Sequence, residues 1–206
     1  GLKELLHSHG ALLTFDEVKT GLTSGPGGAT RLLGVTPDLI CLAKAMGGGV
    51  PCGAIGGTDA VMGLIVEGEY DQVGTFNGNP LTMAAAKAVL TEILDDDAYD
   101  HLGSLREYMT SGVEEVIAEH KLDAHVTAIG AKGCVTFAST PPRNYRDYLE
   151  IDDDYSHLHW LFQHNGGVFL PPWGKSEQWT LSVQHTTDDA QRFVDNFRAF
   201  AQALAG

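Results

Sequence analysis

One stretch constrains this chain more than any other: Asp38-Leu39-Ile40-Cys41-Leu42-Ala43-Lys44-Ala45-Met46-Gly47-Gly48-Gly49-Val50-Pro51-Cys52-Gly53, in which a lone lysine ends an apolar run and is followed by a glycine cluster. Leu39 to Leu42 is apolar without alternation and follows the turn signal Thr36-Pro37-Asp38, which predicts a short buried strand. Lys44 then sits just past the strand's end. An ammonium there is expected to be partly desolvated, which favours the neutral amine that attacks carbonyl carbons. The glycines let the backbone turn tightly and let a flat ligand approach. A second reading stays open, in which the Lys44 stem covers apolar surface and its head reaches water.

The flanking pattern fits an α/β unit. Leu2 to His9 reads as a helix with Leu2, Leu5 and Leu6 on one face, stopped by Gly10. Ala11-Leu12-Leu13-Thr14-Phe15 reads as a buried parallel strand, and Asp16-Glu17-Val18 follows at once. Carboxylates at the carboxyl end of such a strand lie where open α/β sheets place ligands. Equally, Asp16 can cap whatever follows it. A loop rich in Gly, Ser, Thr and Pro runs from Thr20 to Gly34, with a helical turn predicted over Ala29 to Leu33. Gly53 to Gly57 can form a further strand and Asp59 to Ile65 a helix, so the alternation predicts a mostly parallel sheet. In Gly74-Thr75-Phe76-Asn77-Gly78-Asn79-Pro80, Asn79 is a good N-cap and Pro80 fits the first position of an Ala-rich helix. The loop ahead offers a hydroxyl and free N–H groups beside the positive end of that helix, which suits a phosphate; a simple turn is the alternative.

The acidic run Asp95-Asp96-Asp97 marks a boundary that divides the chain into residues 1–94 and 95–206. Beyond it, an amphipathic helix is predicted from about Tyr99 to His120, and strands over Val126 to Ile129 and Cys134 to Ala138. A helix near Tyr155 to Gln163, strands over Val168 to Leu170 and Trp179 to Val183, and a last helix over Thr187 to Leu204 complete a compact α+β unit. Thr186 or Thr187 is placed to cap that last helix.

Charge and cysteine usage narrow the function. A formal charge of −14 argues against nucleic acid and anionic membrane surfaces, and favours a small-molecule ligand. Cys41, Cys52 and Cys134 are odd in number and lack C-x-x-C spacing, which reads as reduced, buried thiols in a cytoplasmic protein. No apolar run is long enough to span a bilayer. Gly174-Lys175-Ser176 imitates the end of a P-loop, but Phe169 stands where that motif needs its first glycine. The pairs His7/His9 and His157/His159 lack a partner set for a metal and read as surface or helix-end histidines. The chain opens at Gly1 inside a helical pattern, so it is expected to be the C-terminal portion of a longer polypeptide.

Asp16-Glu17-Val18, Gly34-Val35-Thr36-Pro37-Asp38, Lys44 with Gly47 to Gly49, and Gly74 to Pro80 resemble, in order and spacing, the second half of a class III pyridoxal-phosphate-dependent aminotransferase. The wording of Gly74 to Pro80 looks closest to the glutamate-1-semialdehyde 2,1-aminomutase-like branch. The resemblance implies fold type I, with residues 1–94 as the C-terminal part of the cofactor-binding large domain and 95–206 as the small C-terminal domain. It implies pyridoxal 5'-phosphate as cofactor, with Lys44 bonding it covalently and shuttling the proton, Asp16 pairing with the pyridine nitrogen and Val18 packing on one ring face. It further implies a homodimer in which Gly74 and Thr75 bind the neighbouring subunit's cofactor phosphate. Glu17 is expected to support the strand end. An amino donor and a keto-acid acceptor are the implied partners; an aminomutase and a non-catalytic subunit of the same fold are the alternatives. Two departures leave the substrate open: Leu22-Thr23 stands where the aminomutase-like pattern continues Phe-Arg, and Leu170-Pro171-Pro172-Trp173-Gly174-Lys175 carries no arginine. Trp173 there implies an apolar wall, and Lys175 a weaker partner for a substrate carboxylate.

Overall fold

The sheet of the first part of the chain is built around the predicted strand before Lys44. A computed structural model describes residues 1–171, 174–175 and 179–205, in two compact units, Gly1–Tyr99 and Asp100–Gly206. In the first unit, α1 (Leu2–Ser8), β1 (Thr14–Asp16), α2 (Gly28–Leu33) and β2 (Leu39–Ala43) lead into a 3-10 turn over Lys44–Gly47. Then come β3 (Gly53–Gly57), α3 (Asp59–Val66), α4 (Pro80–Ala88) and a π-helix over Val89–Ile93. The strand order is β1-β2-β3. β1 pairs with β2 in parallel, Thr14 opposite Leu39 and Asp16 opposite Cys41. β3 returns antiparallel, Ala43 opposite Gly53. Residues 44–52 are too few for the crossover that a parallel return needs.

β1 is shorter than predicted. Leu12 is 54% exposed, and only Leu13 of the expected run is buried. Polar contacts hold this entry: the Leu13 N–H donates to Asp38 Oδ2 at 2.7 Å, and the Asp38 and Leu39 N–H groups donate to the Leu13 carbonyl at 2.8 and 3.2 Å. His7, exposed in the last turn of α1 as expected, has its Nε2 2.8 Å from the same Asp38 oxygen and so gains a carboxylate partner. Its contacts hold the Asp38 carboxyl below the usual range, the His7 hydrogen bond foremost. β2 is half-buried along its length rather than buried. The reason is that the first unit buries few apolar side chains, Leu13, Met46 and Ala86, while Leu2 and Leu5 of α1 stay exposed.

The second unit carries a core of its own. It is built from α5 (Asp96–His120), which begins before the division, β4 (Ala124–Ile129), β5 (Lys132–Phe137), α6 (Tyr145–Leu149), α7 (Asp153–Asn165), β6 (Trp179–Thr180) and α8 (Thr187–Ala205). The α5 start precedes the expected one because the Asp95 side chain accepts the Ala98 N–H at 2.9 Å, with Asp96 and Asp97 in the first turn favoured by the helix dipole. Leu105, Met109, Val113 and Val116 of α5 pack with Val135, Phe137, Phe193, Phe197 and Phe200 in one cluster. Each such side chain contributes roughly 1.5–3 kcal/mol by burial. At α8, the Thr186 N–H donates to Asp189 Oδ2 at 2.8 Å and Thr186 Oγ1 accepts the Asp189 N–H at 3.4 Å, a reciprocal cap at the predicted residue.

Three expectations for this unit are corrected. Val168 to Leu170 forms no strand, and β6 covers Trp179 and Thr180 alone, opposite Gly133 and Lys132 of β5. The indole of Trp179 lies over Gly133, where any Cβ would collide with it, so the ring fixes the pairing at its first residues. His159 is fully buried, ringed by Phe137, Phe193, Phe197 and Phe200, not at a helix end or surface. Gln163 Nε2 donates to the Phe193 carbonyl at 3.0 Å and lies 3.2 Å from His159 Nε2, which makes that ring nitrogen an acceptor. Burial pushes the imidazole pKa down to about 3.

Candidate active site

Lys44 and Asp16 stand at the same edge of the sheet. Asp16 is the last residue of β1 and pairs with Cys41, while Lys44 follows β2 directly. Because the strands are parallel, their carboxyl ends open together, the position at which α/β sheets bind ligands. Lys44 is exposed, so the expected desolvation is not supplied by the described residues. Its backbone is at φ 52°, a left-handed conformation that side chains with a Cβ rarely adopt. No hydrogen bond or ion pair engages its amine among the described residues.

Asp16 caps the turn after β1 and keeps one carboxylate oxygen unengaged by the described residues. Its Oδ1 accepts the Val18 N–H at 3.1 Å, capping the turn after the strand. Its Oδ2 has no hydrogen-bond partner among the described residues. Val18 is half-buried on that turn. A free amine and a half-free carboxylate at one sheet edge suit a ligand that has an electrophilic carbon at one end and a basic nitrogen at the other.

Glu17, the neighbour of Asp16, points inward and is only 2% exposed. Its Oε1 accepts the Thr30 N–H at 2.7 Å and the Thr30 hydroxyl at 2.8 Å, and its Oε2 accepts the Ala29 N–H at 2.8 Å and the Thr20 hydroxyl at 2.9 Å. Burial raises the carboxyl pKa, but these four donors outweigh it and hold the group below its usual range. Glu17 therefore fastens the start of α2 to the end of β1. Gly28, at φ 61°, makes this approach possible, since a Cβ there would run into Glu17 Oε2. The supporting role expected of Glu17 thus has partners in α2, and the local signal for so close an approach is Gly27 at the cap and Gly28 at the first position of that helix.

Gly74 and Thr75 lie elsewhere in the unit, on an exposed loop. The Asn77 N–H donates to the Gly74 carbonyl at 3.0 Å, and Asn79 Oδ1 accepts the Thr82 N–H at 3.0 Å, which caps α4 as predicted with Pro80 at its first position. No hydrogen bond joins Thr75 to Lys44, Asp16 or Val18 among the described residues. In the second unit, Lys175 is already engaged: its amine is 3.2 Å from Asp153 Oδ2 and donates to the Leu149 carbonyl at 3.3 Å. It is thus not a free partner for a substrate carboxylate. Trp173 lies outside the described residues. Among those residues, no group of three or more His, Cys, Asp or Glu is disposed to hold a metal, and no helix is long and apolar enough to cross a membrane.

Residues 1–197 match the model of the class-III aminotransferase family, and the chain belongs to that family. Among the relatives, a glutamate-1-semialdehyde 2,1-aminomutase of Syntrophobacter fumaroxidans is 37% identical over 92% of this chain and 44% of its own length. The enzyme of that name from Thermomicrobium roseum is 36% identical over 100% of this chain and 48% of its own. An omega-transaminase from Sphaerobacter thermophilus shares the fold with a TM-score of 0.84 at 30% identity, covering 100% of this chain and 47% of that one. A glutamate-1-semialdehyde-aminomutase from Pseudomonas aeruginosa PAO1 does so with a TM-score of 0.85 at 28% identity, over 98% and 47%. The architecture is accordingly fold type I, and the chain spans slightly less than half the length of the relatives it matches.

Proposed function

We propose that the protein containing this chain is a pyridoxal-5'-phosphate-dependent aminotransferase that moves an amino group between an amino acid or amine and a keto acid or aldehyde. The observation that carries this reading is the partner-free Lys44 amine at the carboxyl end of β2, with the half-free Asp16 carboxylate at the end of the adjoining parallel strand. Lys44 would hold the cofactor through its amine and, once that amine is released, would take up and return the proton at the substrate carbon as base and then acid. Asp16, through the carboxylate oxygen not used by the Val18 N–H, would hold the proton on the cofactor's ring nitrogen, and Val18 would support one face of the ring. Glu17 keeps the Asp16 end of β1 fixed against α2 while the reaction proceeds. When bound, the cofactor supplies an electron sink for the charge left on the substrate carbon.

In this reading residues 1–94 belong to the cofactor-binding domain and residues 95–206 to the small domain of a cytoplasmic enzyme. Gly74 and Thr75, exposed in this chain, reach the cofactor phosphate of a second copy in a homodimer. The names of the sequence relatives favour a second reading, an aminomutase that returns the amino group to a neighbouring carbon of one substrate. Incubation of the full-length protein with amino donors, with and without a keto acid, separates them. Turnover that requires the acceptor supports the aminotransferase; repeated turnover of a glutamate-1-semialdehyde-like amino aldehyde with no acceptor supports the aminomutase. Absence of both activities in cofactor-loaded protein would contradict each.

A further inference from the structure

The turn that begins with Lys44 is held from behind. Lys44 at φ 52° opens a 3-10 turn that ends at Gly47, followed by Gly48 at φ 58° and Gly49 at φ 100°. A non-glycine residue persists in the left-handed region only where its surroundings over-determine it. Here the turn is in contact with β2, β3, α4 and the π-helix. Met46 inserts with 5% exposure, one of the few buried apolar side chains of the unit. At Gly48 the contact is closest: a Cβ there would come within 2.7 Å of Cγ2 of Val89.

Val89 has a distinct place in its helix. It is the first residue of the π-helix, and its carbonyl accepts the Leu94 N–H at 3.0 Å, five residues on. Such widened turns are uncommon and recur at functional sites. The Lys44 turn therefore rests, through Gly48, on the residue at which α4 changes its winding.

We propose that Val89 is a positioning residue for Lys44. Its γ-methyl, seated on Gly48, holds the turn in the left-handed start that presents the Lys44 amine at the sheet edge. This rests on the reading of Lys44 as the residue that bonds the cofactor. Val89 touches neither substrate nor cofactor in this account and acts through the backbone of residues 44–48.

The test uses the full-length cofactor-loaded protein and four variants: Val89→Ala, Val89→Ile, Gly48→Ala and the double variant Gly48→Ala/Val89→Ala. The first readout is the visible absorption of the lysine-bound cofactor titrated against pH, which reports the setting of the Lys44 amine. The second is the split between kcat and KM. Val89→Ala is expected to displace the titration midpoint by about half a unit or more, and to lower kcat about tenfold with KM nearly constant. Val89→Ile keeps the β-branch and both γ-carbons, and should stay closer to the parent in titration midpoint and kcat than Val89→Ala does. Gly48→Ala should do worse than Val89→Ala, and the double variant should recover part of that loss, because the methyl that a Cβ at position 48 meets is gone. A Val89→Ala protein with parental titration and parental kcat, even one that melts earlier, overturns the proposal, as does a double variant with purely additive losses. Borohydride labelling of the parent at a lysine other than Lys44 would remove the reading beneath it, which is a different and separately visible result.

Discussion

Asp16 and Cys41 are register partners on neighbouring parallel strands, and Lys44 lies three residues beyond Cys41. That pairing fixes how the carboxylate and the amine are offered together. A slip of one residue between β1 and β2 would turn Asp16 to the opposite face of the sheet. Glu17, which does face inward, ties β1 to α2 through Ala29 and Thr30, and its own N–H donates to the Cys41 carbonyl of β2 at 2.9 Å in the observed register.

Asp16→Asn tests the charge rather than the shape. The amide can still accept the Val18 N–H, so the turn survives, but it cannot hold a proton on a ring nitrogen. Cofactor should still load onto the full-length protein, while proton transfer slows on the order of 100-fold or more, measured by stopped-flow absorbance. Near-parental rates would show that Asp16 is a cap and nothing else.

Glu17→Gln tests the clamp. It replaces an ionised acceptor of four hydrogen bonds with an amide whose NH2 faces donors, at a cost of about 3 kcal/mol. Urea unfolding of the parent and variant should show it. The sign of the pH effect follows from the depressed carboxyl: its stabilisation is whole above its ordinary range near 4.5 and is lost as pH falls through the lower folded value. The variant should lack that acid-side component. An unchanged unfolding midpoint would mean the clamp contributes nothing.

His159 gives the second unit its own acid sensitivity. The unfolded imidazole titrates near 6.5 and the buried one near 3, so the unfolded state binds more protons between these values. The stability His159 supports is full above about 6.5 and lost progressively as pH falls toward 3, on the order of a few kcal/mol in all. His159→Phe should flatten the dependence of the unfolding midpoint on pH in that window. An equal slope in parent and variant would place the acid sensitivity elsewhere.

Thr75→Ala concerns cofactor retention. If the exposed Thr75 hydroxyl reaches a second copy's phosphate, its loss should speed cofactor dissociation by an order of magnitude or more while leaving the rate of the loaded enzyme nearly intact. Dialysis followed by fluorescence of the released cofactor measures this. Unaltered retention would detach Thr75 from the site.

Several of these relations were legible from the residues. The end of β2 just ahead of Lys44, the cap at Asn79, and a threonine cap at Thr186 or Thr187, which the structure resolves to Thr186, are local signals, readable because each is settled by a few adjacent side chains. The inward turn of Glu17 toward Thr30 and the burial of His159 were not, since both draw on partners distant in sequence, such as Thr30, 13 residues from Glu17, and Phe193, 34 residues from His159. The exposure of Lys44 in this chain is one of the two readings its stretch leaves open, and the stretch does not decide between them, because an apolar run signals burial only when something covers it and the sequence of a strand does not say what that is. The positive φ at Lys44 had no sequence signal at all, because lysine is not a residue that favours it.

The central claim is that Lys44 bonds the cofactor. Borohydride reduction of the cofactor-loaded full-length protein, followed by peptide mapping, reads this residue directly. A single reduced adduct on Lys44 is expected, absent from a folded Lys44→Ala variant, which should also lack the visible band of the lysine-bound cofactor. An adduct on Lys87, Lys132 or Lys175, or on no lysine of a loaded protein, would contradict it.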